Sequence, residues 1–200
     1  MSNVQDLRSH LQTLEKHDKL HRINRLINKD TELLPLIRWQ FRGLPECMRA
    51  GFLFENVTDS RGRRFSSSVA AGIYASSSEI YALGMGTSVD HIRDRWQEAR
   101  SNPIPPQMVE SGPVQEEVHV DATLLEHEGI EEFPIPIGTP GYDVGPYTTA
   151  SNFITRDPDS GALNVGNYRG QIKGPDRMGV YINPQNNGGA NWRKNREVNG

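Results

Sequence analysis

The sequence predicts an α+β fold, with a mixed α/β domain over residues 1–110 and a β-rich domain over residues 111–200. Helical and strand patterns alternate along the first domain. The run Pro103-Ile-Pro-Pro106 cannot continue a helix, which places the domain boundary between about residues 103 and 115. From Tyr147 onward, polar and apolar residues alternate in short runs separated by turn residues, a pattern typical of antiparallel hairpins.

Local signals predict each element of the first domain. Leu7, Leu11 and Leu14 recur at helical spacing after Asp6, which can cap the helix. Short runs rich in β-branched and aromatic residues indicate strands. In order, we expect a helix after Asp6, a strand at 20–25, a helix at 33–41, a strand at 51–57 with a hairpin partner at 65–71, a helix from a Ser76 capping box to Leu83, and a helix that starts at Ser88 and ends before Asn102.

The second domain carries a clear turn signal. Asp157-Pro-Asp-Ser-Gly161 combines residues that initiate turns with a glycine that tolerates positive φ. We therefore expect a hairpin around it. In order, the predicted elements are an edge strand at 114–120, an extended run at 133–138, strands at 148–155 and 163–173 that flank the turn, a strand at 178–183 and a glycine-rich loop at 184–189.

Composition narrows the classes of function. A formal net charge of -3 gives no general attraction to nucleic acid or to anionic lipid. The single cysteine, Cys47, excludes an internal disulfide and a cysteine-based zinc cluster. The first residues lack the charged and apolar regions of a signal peptide, and no apolar run reaches membrane-spanning length. We expect a soluble, cytoplasmic protein.

The segment Asn164-Val-Gly-Asn-Tyr-Arg169 is the most informative for function. It offers a neutral oxygen ligand, a residue without a side chain and a fixed cation. Asn164 and Arg169 are five residues apart, so they would face opposite sides of a regular strand. One ligand can use both only if the strand bulges or ends between them, and Gly166 is the natural place. The alternatives are an asparagine that bonds to its own turn and a surface arginine.

Motifs in a characteristic order link this segment to a known family. They are Asp6-Leu-Arg8, Leu53-Phe-Glu-Asn-Val57, Asn102-Pro-Ile-Pro-Pro106, Gly112-Pro-Val-Gln115, Phe133-Pro-Ile-Pro136, Gly145-Pro-Tyr-Thr148, Ile154-Thr-Arg-Asp-Pro158 and Asn164-x-Gly-x-Tyr-Arg169. From about Asp6 to Val198 the chain resembles the N-terminal part of the UbiD family of reversible decarboxylases, which use prenylated FMN. The resemblance implies that the second domain begins a flavin-reductase-like split β-barrel and leaves it incomplete.

The implied reaction is the non-oxidative, reversible decarboxylation of an aromatic, heteroaromatic or α,β-unsaturated carboxylic acid. Loss of carbon dioxide from an sp² carbon leaves electrons that no side chain can accept, so a cofactor is required. By resemblance, Asn164 ligates a divalent metal ion that bridges to the flavin phosphate, and manganese is the expected metal. Potassium is a further candidate ion. Arg169 is the catalytic residue that grips the substrate carboxylate. The cofactor-binding residues implied are Thr149, Asn164, Gly166, Asn167, Tyr168, Arg169, Gln185 and Asn186.

The chain departs from the family pattern at Asn186. Some members place a metal-binding histidine there, whereas this chain has no histidine after His127. That ligand must be replaced, supplied as an amide oxygen, or lost. Amides around residues 186–189 could form a nest for phosphate, or the segment could be a solvated turn. We assign no chemistry to the histidines, and we read the basic residues Arg193, Lys194 and Arg196 as a solvated helix face.

The family's further metal-binding and catalytic acids lie beyond residue 200. We therefore expect the chain to be the N-terminal portion of an enzyme, or one piece of an enzyme assembled from separate chains, and to have no turnover alone. Expected partners are a carboxylic acid substrate, a prenyltransferase that supplies the cofactor, and either identical subunits or the missing C-terminal part. Two rival functions are a flavin-binding module without decarboxylation and a non-catalytic structural subunit.

Overall fold

The computed structural model describes residues 6–199. The chain divides into two compact units, one ending at Val118 and the other beginning at His119. The main elements of the first unit are α1 (Leu7–Lys16), β1 (Leu20–Asn28), α2 (Leu33–Gly43), β2 (Gly51–Thr58), β3 (Arg64–Phe65), β4 (Val69–Ala71), α3 (Ser78–Met85) and α4 (Ile92–Ser101). Those of the second are α5 (Ala122–Glu126), β5 (Tyr147–Thr148), β6 (Asn152–Arg156), β7 (Leu163–Asn167), β8 (Gly170–Gly174), β9 (Arg177–Val180) and α6 (Asn187–Asn199).

The first unit is a mixed sheet covered by helices. Strand β2 pairs in parallel with β1 and antiparallel with β3 and β4. A parallel neighbour requires a crossover connection, which α2 supplies between β1 and β2. Ile27, Leu33 and Phe54 are fully buried where the helix meets the sheet. The mixed α/β character predicted from the sequence is confirmed.

The start of α1 has the predicted cap. The Asp6 carboxylate accepts a hydrogen bond of 2.7 Å from the Ser9 backbone amide, and the Ser9 hydroxyl lies 3.1 Å from the Asp6 amide. The helix buries Leu14 and His10. The imidazole of His10 hydrogen-bonds to the carbonyl of Ile73 at 2.7 Å, so this histidine is part of the core of the first unit.

Two local predictions in the first unit are wrong. Ser77, and not Ser76, caps α3 by accepting a hydrogen bond from the Ile80 amide at 3.2 Å. The Ser76 hydroxyl is buried and donates to the Gly72 carbonyl, so it does not cap the helix. The predicted strand at 65–71 is interrupted at residues 66–68, so it forms the two short strands β3 and β4.

The second unit contains a three-stranded antiparallel sheet of order β5-β8-β9 and a separate β6–β7 hairpin. The predicted turn joins β6 to β7, and Gly161 has a φ of 73° there. The strands predicted at 148–155 and 163–173 each divide in two, at residues 149–151 and 168–169. The strand predicted at 178–183 is shorter and shifted, as β9.

The remaining differences lie at the two ends of the second half of the chain. Residues 114–120 form no edge strand, because Pro113–Gln115 forms one 3-10 turn whose Gln115 side chain binds the Gly112 amide at 3.1 Å. The predicted loop at 184–189 is partly helical, since α6 begins at Asn187. None of the helices within residues 6–199 combines the length and apolar character needed to cross a bilayer.

Candidate cofactor and substrate site

The β6–β7 hairpin has one covered face and one exposed face. Residues alternate between half-buried and exposed along both strands. Asn164 and Gly166 lie on the covered face, opposite Thr155 and Phe153 respectively. Helix α6 packs against both strands. The period of two along a strand therefore places Asn164 between the hairpin and the helix.

Asn164 belongs to a small polar cluster that we call the amide cluster, made of Thr155, Asn164 and Asn191. The side-chain nitrogen of Asn164 donates to the Thr155 hydroxyl at 3.3 Å, and that of Asn191 donates to the same oxygen at 3.1 Å. Asn191 is only 5% exposed. Within residues 6–199 the Asn164 side-chain oxygen accepts no hydrogen bond. It is thus a half-buried amide oxygen of the kind that a hard cation prefers.

The strand ends between Asn164 and Arg169, as the sequence argument requires. Strand β7 stops at Asn167 and β8 starts at Gly170, so Tyr168 and Arg169 lie in the break. The prediction that Gly166 would be the irregular position is wrong, because Gly166 stays in register opposite Phe153. The break comes two residues later, where the chain leaves the hairpin and joins the other sheet.

Gly166 has a different purpose, which concerns the ring of Tyr168. A Cβ atom on Gly166 would lie 2.5 Å from that ring, and one on Gly188 would lie 2.5 Å from its hydroxyl. Phe153 meets the ring edge-on, with centroids 5.8 Å apart. The missing side chains therefore leave room for Tyr168 between the hairpin and the first turn of α6.

Arg169 lies next to an acidic and an aromatic partner. Its Nη2 is 3.0 Å from Asp143 Oδ1, and its guanidinium carbon is 4.1 Å from the centroid of the Tyr147 ring. The Arg169 side chain is 51% exposed, whereas that of Asp143 is only 14% exposed. One edge of the guanidinium is therefore held while much of the side chain remains open to solvent. Within the described residues no hydrogen bond or ion pair joins it to Asn164.

Three of the other predicted site residues are exposed, and the fourth caps a helix. Thr149 is exposed between β5 and β6, and Asn167 is on the exposed face of β7. Gln185 is exposed, and its backbone amide donates to the Asn183 side chain at 2.9 Å. Asn186 caps α6: its side-chain oxygen accepts a 2.9 Å hydrogen bond from the Gly189 amide. Because the Gly189 amide and the Asn186 oxygen bond to each other, that amide is not available to bind a phosphate. The same bond argues against the Asn186 oxygen as a metal ligand.

Arg193 and Arg196 are exposed, as a solvated helix face requires, but Lys194 departs from that interpretation. Its ammonium lies 2.9 Å from a carboxylate oxygen of Asp157 and 2.7 Å from one of Asp159, in the hairpin turn. Hydrogen bonding by Lys194 lowers the pKa of Asp157, and hydrogen bonding to Asp159 and Asp157 raises the pKa of Lys194. This contact, which we call the turn clasp, fixes α6 to the hairpin that carries Asn164.

Sequence reasoning missed Asp143, Thr155 and Asn191. Thr155 and Asn164 are cross-strand partners, so a correct hairpin register could have revealed that pair. Asn191 and Asp143 approach through tertiary packing, which no local pattern encodes. The rings of His119 and His127 stack at 3.7 Å, although their spacing gave no such signal.

Comparison with known proteins identifies the second half of the chain. Residues 107–200 match the family described as UbiD: 3-octaprenyl-4-hydroxybenzoate carboxy-lyase Rift-related domain. The chain is 28% identical, over 188 residues, to the phenolic acid decarboxylase of Sedimentibacter hydroxybenzoicus, a match that covers 88% of this chain and 36% of that protein. It spans between 22% and 36% of the length of four curated relatives.

Solved structures agree with this match. The UbiD-class enzyme HmfF from Pelotomaculum thermopropionicum, in complex with FMN, is 33% identical with a TM-score of 0.73, covering 90% of this chain and 37% of that chain. An evolved dimeric form of HmfF, in complex with prFMN, is 31% identical with a TM-score of 0.79, covering 98% of this chain and 42% of that chain. The resemblance carried by the sequence motifs is confirmed, and residues 107–200 carry a domain of the UbiD family.

Proposed function

We propose that this chain is the N-terminal portion of a reversible decarboxylase that binds prenylated FMN and acts on an aromatic, heteroaromatic or α,β-unsaturated carboxylic acid. The observation that carries the proposal is the break between β7 and β8. It places the Asn164 amide oxygen, which accepts no hydrogen bond from the described residues, on the covered face of the hairpin, and a partly exposed guanidinium just beyond the end of that strand. A cofactor phosphate bound through a cation and a substrate acid would need these two groups.

Asn164 is proposed to hold the metal ion, with manganese expected. The residues present fit such an ion in part. The Asn164 oxygen has no hydrogen bond within residues 6–199, and its nitrogen is fixed by Thr155, which orients the oxygen. Asn186 does not fit as a second ligand, because its oxygen accepts the Gly189 amide. The other ligands would have to come from outside the described residues.

Arg169 is proposed to bind the carboxylate of the substrate. A guanidinium stays charged at any working pH and can donate two parallel hydrogen bonds to a carboxylate. The contact with Asp143 uses one Nη2 edge, so other N–H groups remain for the substrate. Bound prenylated FMN would supply the electron sink that no side chain can provide. Arg169 would orient the acid so that its carboxylate can depart.

The fold of the second unit fits the proposed cofactor domain. The β5-β8-β9 sheet and the β6–β7 hairpin are proposed to be the first strands of a split β-barrel, with the domain starting near residue 111. The HmfF structures, solved with FMN and with prFMN, support a flavin as the ligand of this chain. Tyr168, held between Gly166 and Gly188, is proposed to line that flavin site.

The test is to produce the protein at its natural length in cells that also contain a prenyltransferase making prenylated FMN. Mass spectrometry of the purified protein identifies the bound flavin. A panel of aromatic, heteroaromatic and α,β-unsaturated acids is then assayed for release of carbon dioxide. We expect bound prenylated FMN and release from at least one acid. Protein that carries no flavin and releases no carbon dioxide would refute the proposal.

A flavin-binding or structural subunit without its own decarboxylase activity is the second candidate. The observation in its favour is Asn186, which caps α6 where some family members place a metal-binding histidine. Bound plain FMN without release of carbon dioxide, in protein of natural length, would favour this candidate.

A further inference from the structure

The Asp143 carboxylate is anchored before it reaches Arg169. Its Oδ2 accepts a hydrogen bond of 2.6 Å from the backbone amide of Thr139, and its own backbone amide donates to the Thr139 carbonyl at 2.9 Å. Residues 139–143 thus close into a compact turn with the carboxylate fixed at its end. The side chain is only 14% exposed. Because its own backbone turn fixes the carboxylate, Asp143 presents a negative charge to Arg169 at a defined position.

Arg169 is restrained from two directions. Asp143 Oδ1 contacts Nη2 at 3.0 Å, and the Tyr147 ring lies 4.1 Å from the guanidinium carbon. The first contact fixes one edge of the fork, and the second fixes its plane. The side chain nevertheless remains 51% exposed. The orientation of its remaining N–H groups is therefore fixed, and these groups remain accessible to solvent.

Gly138 allows this arrangement. It is buried, and a Cβ atom at this position would lie 2.7 Å from Asp143 Oδ2 and 3.3 Å from Arg169 Nη2. Any larger residue would therefore displace the carboxylate or the guanidinium. Gly138 is not among the glycines with positive φ, so its backbone conformation does not require glycine. The space beside the ion pair is the physical reason for a glycine here.

We propose that Asp143 is a positioning residue for Arg169, and that Gly138 provides the space in which the two side chains meet. This inference rests on the proposed function, because the group that Arg169 would then receive is the substrate carboxylate. Asp143 holds one edge of the guanidinium, and the ring of Tyr147 supports its face. Orientation is fixed before the acid arrives, so the acid meets a preorganised fork. Asp143 itself need not touch the substrate.

The opposite role would be a latch, in which Asp143 competes with the substrate acid for Arg169. A latch predicts that loss of the carboxylate improves binding of an acid. Positioning predicts a loss of rate. Removing the negative charge also changes the local electrostatics, so Asp143→Asn alone does not separate the two roles. A variant that moves the carboxylate at constant charge is needed.

Gly138→Ala is that variant, and Gly145→Ala is its matched control. Both change glycine to alanine in the segment before β5, at positions outside the positive-φ region. A Cβ atom on Gly145 would meet only the Gln171 amide nitrogen, at 3.8 Å. The measurements are kcat and KM for the acid that releases most carbon dioxide in the panel, and the Nε–H nuclear magnetic resonance signal of Arg169, assigned by its loss in Arg169→Lys.

We expect Gly138→Ala and Asp143→Asn to lower kcat/KM by about 100-fold, mainly through kcat, as misplacement of a binding group by about 1 Å does. In both variants the Arg169 Nε–H signal should move toward those of exposed arginines. Gly145→Ala should match the unaltered protein in rate and in signal.

Three results would overturn the proposal. The first is an unchanged Arg169 signal in both Gly138→Ala and Asp143→Asn. The second is a shifted signal with kcat/KM within twofold of the unaltered protein, and the third is a higher kcat/KM in Asp143→Asn, as a latch requires. If no acid releases carbon dioxide from the unaltered protein, the proposed function fails and the role toward substrate fails with it. The signal then still decides whether Asp143 orients Arg169.

Discussion

At the scale of single residues, Asn164 and Arg169 differ in how much of their setting the sequence could predict. Their spacing required a strand end or bulge between them, and β7 does end there. The position of that irregularity was wrong, because Gly166 makes room for Tyr168 and does not bend the strand. Asp143 could not be predicted, since it reaches Arg169 from a turn 26 residues earlier in the chain. Local patterns carry no information about such a contact.

Replacement of Arg169 by lysine tests whether a fork is needed and not merely a charge. An ammonium is a point charge and cannot bind Asp143 by one edge while offering two parallel bonds to an acid. We expect kcat/KM for decarboxylation to fall about 100-fold in Arg169→Lys, comparable to the loss of a preorganised donor. Arg177→Lys is the control, because that side chain is 76% exposed and contacts its neighbour Asp176. Equal rates in the two variants would contradict the role of Arg169.

Asn164→Ala tests the metal site. The substitution removes the amide oxygen proposed to bind the metal and the hydrogen bond to Thr155. We expect manganese affinity, measured by calorimetry, to fall at least about tenfold. Stability to urea should fall by about 1 kcal/mol, the usual net value of one hydrogen bond. Asn152→Ala, on the exposed face of the same hairpin, should change neither quantity. Unaltered manganese affinity in Asn164→Ala would remove Asn164 from the metal site.

At the scale of elements, the central unit is the β6–β7 hairpin with helix α6 packed on it. The turn residues predicted the hairpin, and its register follows from the position of that turn. The helix was only partly predicted: the basic run was correctly placed in a helix, and Arg193 and Arg196 do face solvent, but Lys194 does not. Packing against the hairpin makes the difference, because it brings Lys194 to Asp157 and Asn191 to Thr155. A helical sequence pattern predicts which side of the helix each side chain faces. It does not predict which other element packs against that side.

The turn clasp predicts a pH-dependent stability. The pKa of Asp157 is lowered, so its contribution is present above the ordinary carboxyl range and is lost as pH falls through the lowered pKa. The pKa of Lys194 is raised, so its contribution is present below the ordinary lysine range and is lost as pH rises through the raised pKa. The clasp should therefore act across the whole neutral range and fail in strong acid.

Lys194→Met tests this directly by thermal unfolding. We expect a modest decrease in Tm at pH 7, because partly exposed ion pairs contribute little. The difference from the unaltered protein should shrink as pH is lowered into the region where Asp157 is protonated. Lys173→Met, an exposed position on β8, is the control. A difference in Tm that stays constant down to strong acid would show that Lys194 acts through packing and not through its charge.

At the scale of the whole molecule, alternating patterns were enough to predict a mixed α/β first unit and a β-rich second unit. Periodicity and turn chemistry are read over short windows, which suits helices such as α1 and strands such as β2. They fail where backbone is held by specific contacts, as at Pro113–Gln115, where a side chain closes a turn in place of an edge strand. The candidate site lies mostly in such segments. The sequence therefore predicted Asn164 and Arg169 but not the residues that contact them.

The core of the first unit gives a prediction of stability. Phe54 is completely buried among Ile27, Leu33 and Val57. Phe54→Ala should lower the free energy of unfolding by about 3–5 kcal/mol, through lost apolar burial and the cavity that remains. Guanidinium unfolding measures the change. Phe41→Ala, where the ring is 43% exposed, should cost much less. Similar costs for the two substitutions would mean that Phe54 does not organise this core.

The ring of Tyr168 has a consequence for how this chain can vary. Positions 166 and 188 each lack a Cβ atom where that ring lies, so all three positions compete for one small volume. A larger residue at either glycine can be accommodated only if residue 168 has a smaller side chain than tyrosine. Among natural relatives, exchanges at these positions should therefore be compensatory: where the aromatic group is replaced by something compact, alanine or serine becomes admissible on the strand or at the helix start.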